Sequence, residues 1–101
     1  MTLSSQDINW LAGIFEGEGW FGWDARNHST KSYIGMTDKD IIDKIQNLLR
    51  GAGSRHTRFR PNSRKELYEL TISGVDAAGL MMTIYSLMGT RRQEQIRRAL
   101  E

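Results

Sequence analysis

Leu11-Ala12-Gly13-Ile14-Phe15-Glu16-Gly17-Glu18-Gly19 is the stretch that decides how this chain is read. It is an apolar segment of helical spacing that ends in two carboxylates set between glycines. With residues about 100° apart around a helix, Ile8, Trp10, Leu11, Ile14 and Phe15 make one broad apolar stripe that must face a core. The other side carries Ala12, Gly13, Glu16 and Gly17, and each glycine costs a helix about 1 kcal/mol relative to alanine. That cost makes sense where a second backbone approaches, because small residues remove the bulk that otherwise holds helices about 8–10 Å apart. The chain has no second copy of the pattern, so the partner helix is expected from another copy of the protein. Ala12, Gly13, Glu16 and Gly17 then lie at the interface of a twofold homodimer. The axis would bring two Glu18 carboxylates together, and like charges repel unless protons or cations lie between them. The helix end therefore reads as a metal site. Magnesium suits it, since that ion is held by one or two carboxylates together with water and phosphate oxygens.

Working outward, hydroxyl residues followed three positions later by an acid or amide mark four helix starts: Ser4 with Asp7, Thr37 with Asp40, Ser73 with Asp76, and Thr90 with Gln93. Ile41, Ile42, Ile45, Leu48 and Leu49 make the second of these helices amphipathic, with Gly51 as its stop. Val75, Ala78, Leu80, Met81, Ile84, Tyr85 and Met88 do the same for the third, and Gly89 separates it from a short, arginine-rich fourth. Between helices the period shortens to two. Phe21, Trp23 and Ala25 alternate with Trp20, Gly22, Asp24 and Arg26, and residues 31–36 form a return strand. Residues 55–60 and 66–72 make a second hairpin around Pro61-Asn62-Ser63. The order αββαββαα predicts one α+β domain over 1–101, an antiparallel four-stranded sheet with helices on one face.

A net charge of +2 on 101 residues is only mildly basic, but its distribution points to an anionic partner. From Arg50 to Lys65 there are six basic residues and no acid, and Arg91, Arg92, Arg97 and Arg98 form a second cluster. His56, Arg58 and Arg60 share one face of a strand, with Thr57 and Phe59 on the other, where Phe59 is expected to meet the core. The basic face is shaped for a major groove, where a two-stranded ribbon fits and arginine can pair with guanine. Arg26, His28 and Lys31 line the first hairpin in the same way, with Arg64 and Lys65 placed for phosphates. Trp20 is expected to pack under the hairpin, the alternative being exposure beside the helix end. The absence of cysteine excludes disulfides and thiolate zinc sites, and no segment has the look of a signal peptide or membrane span. A soluble, intracellular protein is the expectation.

The phrase from Trp10 through Glu16-Gly17-Glu18-Gly19 to Phe21 resembles a single-motif LAGLIDADG homing endonuclease. Thr37-Asp38-Lys39-Asp40 and Leu87-Met88-Gly89-Thr90-Arg91-Arg92-Gln93 support the likeness. It implies a homodimeric, magnesium-dependent endonuclease whose saddle-shaped sheets sit in the major groove of a long, near-palindromic DNA site, as in intron homing. On that likeness Glu18 is the metal-binding acid, helped by the carbonyl of Gly17, and Arg92 lies near the scissile phosphate with Arg91 as its rival. The family usually carries aspartate where Glu18 stands, and Met36 falls in a region where many relatives have a polar, water-positioning side chain. Two other functions fit the same residues. One is a non-catalytic nucleic-acid-binding module, such as a regulator or intron maturase, and the other is a helix-mediated interaction protein.

Overall fold

The computed structural model describes residues 3–61 and 65–101. Ser4 opens the first helix, α1 (Ser5–Glu18), by accepting the Asp7 N–H at 3.0 Å, which satisfies one of the otherwise unpaired first-turn donors. The chain runs from Glu18 straight into β1 (Gly19–Asp24), and a tight hairpin returns it as β2 (Ser29–Met36). Next come α2 (Lys39–Leu48), β3 (Ser54–Arg60), β4 (Lys65–Ser73), α3 (Gly74–Ile84), a 3-10 turn at Tyr85–Leu87 and α4 (Thr90–Leu100). All strand pairs are antiparallel, in the order β1-β2-β4-β3, which is the α+β arrangement expected from the sequence.

Register settles which side chains share a face. Phe21 lies opposite Ser32, and Ser32 opposite Ile72; Gly19, Ile34, Leu70 and Arg55 form a parallel row. Both rows face the helices. Phe15 of α1 stacks on Phe21 with ring centroids 5.8 Å apart, and Leu11, Ile42, Ile45, Met81, Ile84 and Ile96 complete the fully buried contacts. Burial of each such side chain stabilises the fold by about 1.5–3 kcal/mol before chain entropy is counted. The opposite face of the sheet carries Trp20, Lys31, Tyr33, Glu69, Thr71, His56 and Arg58, with no helix of the described residues over it.

Several local expectations are corrected. The Thr37, Ser73 and Thr90 hydroxyls do not cap: α2 starts from Asp38, α3 from Ser73 without a side-chain bond, and α4 from Gly89. The fourth helix is as long as the third, at 11 residues. Phe59 lies on the helix side, as alternation required, yet remains 67% exposed. It sits near the free end of the edge strand, past the reach of α2, which crosses β4 and meets β3 at Arg55 through the 2.9 Å ion pair to Asp43. The Pro61-Asn62-Ser63 turn lies only in part within the described residues. Among those residues no helix is long and apolar enough to cross a membrane.

Candidate functional site

Glu18 is the last residue of α1, exposed, where the negative end of the helix favours a cation. The sharp change from helix to strand needs Gly19. A Cβ there would lie 2.9 Å from the Phe15 carbonyl oxygen, which also accepts the Gly19 N–H. The turn of α1 before it is clamped to α4. Glu16 Oε1 accepts the Gly89 N–H at 2.5 Å, and Arg92 Nε donates to the Glu16 carbonyl at 3.0 Å. Arg92 is 6% exposed and its Nη1 donates to Gln95 Oε1 at 3.0 Å. Burial, followed by the charge of Arg91, pulls the Arg92 pKa below its usual range, while Glu16 and Glu18 pull it back up. The structure thus brings Glu18 and Arg92 within electrostatic reach of each other. Arg91 is next to them and solvent-exposed.

The four residues placed at a dimer face divide. Gly13 and Gly17 are exposed, and a Cβ built on either meets nothing within 4 Å. Ala12 is instead a core residue at 4% exposure, because the buried side of α1 is centred on Leu11, Ala12 and Phe15. That rotation leaves Trp10 and Ile14 only half-buried, flanking the two glycines. Glu16 turns toward α4 of its own chain, as described above. Among the described residues no group of three His, Cys, Asp or Glu side chains gathers into a complete metal cage. One chain offers the Glu18 carboxylate and the Gly17 carbonyl, a donor set that suits an ion which keeps several waters and takes phosphate oxygens.

The open face of the sheet forms a trough of about 610 Å³ lined by Trp20, Lys31, Tyr33, His56, Arg58 and Glu69. Trp20 is 42% exposed and lies on this face, its ring over Gly22, where a Cβ would collide with it. Packing under the hairpin is therefore not what it does. The trough brings Lys31, His56 and Arg58 together, while Arg26 and His28 sit at the exposed tip of the first hairpin, with His28 at φ 49°. Arg60 and Lys65 close the same face at its far end, opposite each other, and Arg64 lies outside the described residues. Lys31 is paired with Asp24 at 3.0 Å. Met36 belongs to the helix side, opposite Tyr68 and packed on the core, so no water-positioning role on the open face falls to that position. Of the remaining arginines, Arg97 and Arg98 are both bound to Glu94, at 2.7 and 3.0 Å.

Two residues of this face were not anticipated. Tyr33 donates its hydroxyl to Glu69, and Glu69 also takes Arg58 Nε at 2.6 Å. An acid at 6% exposure on a basic surface is visible in the alternation of β4 only as an acid out of place, and its partners come from two other strands.

Comparison with solved structures finds this fold in an archaeal intron-encoded homing endonuclease, I-Vdi141I, complexed with DNA. The match has a TM-score of 0.67 at 15% identity and covers 90% of this chain and 63% of that one. A second match is the LAGLIDADG homing endonuclease I-GzeII in complex with its DNA target, with a TM-score of 0.57 at 16% identity, over 79% of this chain and 28% of that one. The chain thus spans less than two thirds of either neighbour, and at these identities the likeness is one of fold. No match is found among curated proteins. The model of the LAGLIDADG-like domain matches residues 5–82, from the start of α1 into α3, and the chain belongs to that family.

Proposed function

We propose that the protein is a divalent-metal-dependent endonuclease that acts on double-stranded DNA as a homodimer. The observation that carries this reading is the end of α1. An exposed carboxylate, Glu18, follows a helix stripe kept bare by Gly13 and Gly17, at the margin of a basic open sheet, and the buried Arg92 is bonded two residues before it, at the Glu16 carbonyl. Two such helices packed through their glycines would place two Glu18 side chains at the axis and two troughs side by side along one duplex. A divalent cation held by Glu18 and the Gly17 carbonyl would supply Lewis-acid activation of water and of the scissile phosphate. Arg92, held by Glu16 and Gln95, opposes the charge that develops on the phosphate without having to reorganise. Lys31, His56 and Arg58 supply contacts in the groove, with Arg26, His28 and Lys65 at the flanks.

The test is incubation of plasmid carrying the uninterrupted genomic insertion site with protein and magnesium. The wild-type protein should linearise the plasmid, and Glu18→Gln should bind the same DNA without cutting it. Cleavage that survives Glu18→Gln removes Glu18 from the mechanism. Tight, salt-sensitive binding with no cleavage under any divalent metal would favour a non-catalytic module, a regulator or maturase, on this fold.

A further inference from the structure

On the reading above, phosphate-rich DNA lies against the open face, and a carboxylate buried in the middle of that face needs a reason. Glu69 sits at the centre of β4 and ties three strands together: Tyr33 of β2 donates to its Oε2, and Arg58 of β3 forms an ion pair with its Oε1 through Nε at 2.6 Å. Burial, reinforced by the bond to Glu69, pushes the Tyr33 phenol up to about 12, so its hydroxyl remains a donor at neutral pH. The acid is unfavourable there on two counts, since its own desolvation costs free energy and its charge opposes an anionic ligand. A neutral pair would fill the space at less cost, so its value lies in geometry. Arg58 shows what that geometry is. Its side chain is 73% exposed, and among its guanidinium nitrogens only Nε is engaged by the described residues. The side chain is fixed at its root and, among the described residues, open at its tip. Paired recognition of guanine O6 and N7 requires two planar donors held in one orientation, which is what a guanidinium anchored through Nε retains on its Nη edge.

We propose that Glu69 is a positioning residue that aims Arg58 at a guanine in the major groove, with Tyr33 holding the second carboxylate oxygen. The inference rests on the DNA-binding reading and deepens it. Because the Arg58–Glu69 pair is net neutral, it adds direction to the interface and little salt-dependent attraction.

The test selects duplexes from a randomised pool with full-length wild type, Arg58→Ala, Glu69→Gln and Tyr33→Phe. It also measures affinity for one unselected duplex and records the Arg58 Nε–H signal of the free protein by NMR. Wild type should prefer guanine on the order of tenfold at one position in each half-site, and Arg58→Ala and Glu69→Gln should both lose that preference at that position alone. Tyr33→Phe should weaken the same preference by about threefold, within the range of one hydrogen bond. Glu69→Gln should bind the unselected duplex about threefold more tightly, because an anion has gone from the face. The Arg58 Nε–H signal should be sharp in wild type and averaged in Glu69→Gln. Guanine preference retained in Glu69→Gln, loss spread over every position, or an Nε–H signal that ignores the substitution would overturn the proposal. A wild-type protein that enriches no sequence would overturn the DNA reading itself and this inference with it, even with the Nε–H result as expected.

Discussion

Single residues set the geometry of the helix end. Glu16 looks in sequence like a twin of Glu18, yet its carboxylate anchors the start of α4 through the Gly89 N–H, and the Glu16 carbonyl anchors Arg92. With its side chain 39% exposed the bond is partly screened, so Glu16→Ala should lower stability by about 1 kcal/mol in urea denaturation. No loss would mean that Gly89 is held by other contacts. Gly19→Ala should cost more, about 1–3 kcal/mol, since the added Cβ lies 2.9 Å from a backbone carbonyl of the preceding helical turn. Asp24 gives a pH-dependent case. Lys31, and then Asn27, hydrogen-bond its carboxylate and hold its pKa down to about 2, against 3.8 for the free group. A pKa depressed in the folded state means that the contribution to the first hairpin is present above pH 3.8 and is lost as the pH falls through about 2. The Asp24 carboxyl carbon, followed by NMR, should therefore titrate near pH 2; a midpoint near 3.8 would dissolve the Lys31 contact in solution.

At the scale of elements, the proposed function would have α1 serve two neighbours at once. Leu11, Ala12 and Phe15 hold it to its own sheet, while Gly13 and Gly17, flanked by half-buried Trp10 and Ile14, face outward with open space above them. Helix propensity and assembly then make opposite demands on the glycines. Gly13→Ala removes backbone entropy at no steric cost within the chain and should stabilise a monomer by about 0.5–1 kcal/mol. Gly13→Leu should leave the fold intact and shift the protein to monomer in analytical ultracentrifugation, with loss of cleavage if two helix ends make the site. Dimers that persist in Gly13→Leu would put the interface elsewhere. Helix α4 matters because it carries Arg92 to the Glu16 carbonyl of α1 from 76 residues away in sequence, and Gly89 begins it because the donor of that residue already has an acceptor in Glu16.

For the whole molecule, the charge left to attract an anionic partner is less than the count of basic residues. Arg55 is spent on Asp43 to hold the edge strand to α2, Arg58 on Glu69, Lys31 on Asp24, and Arg97 and Arg98 on Glu94. The exposed Arg26 at the hairpin tip is a better phosphate contact, and Arg26→Ala should reduce the slope of log affinity against log salt by about one per protomer without changing sequence preference. An unchanged slope would take the hairpin tip off the duplex. The order of elements, the pairing of hairpins and the alternation along the strands were legible in the chain itself. Periods of 3.6 and two, glycine punctuation and the Ser4 cap are local properties that reach only a few residues. The motif at 11–19 was equally legible, because its acids, glycines and apolar residues are contiguous, lying in the end of α1 and the first residue of β1. Burial and partnership were not. Phe59 alternates like a core residue but stands beyond the helices, and Trp20 lies over Gly22 on the open face. Glu69 meets Tyr33 and Arg58, and Arg92 is buried against Glu16, only because strands and helices distant in sequence are brought together. Sequence by itself determined the elements and the carboxylate at the end of the first helix. Tertiary structure decided which charges are spent within the molecule and which are left to act, since that depends on what covers each side chain, and no local pattern records it.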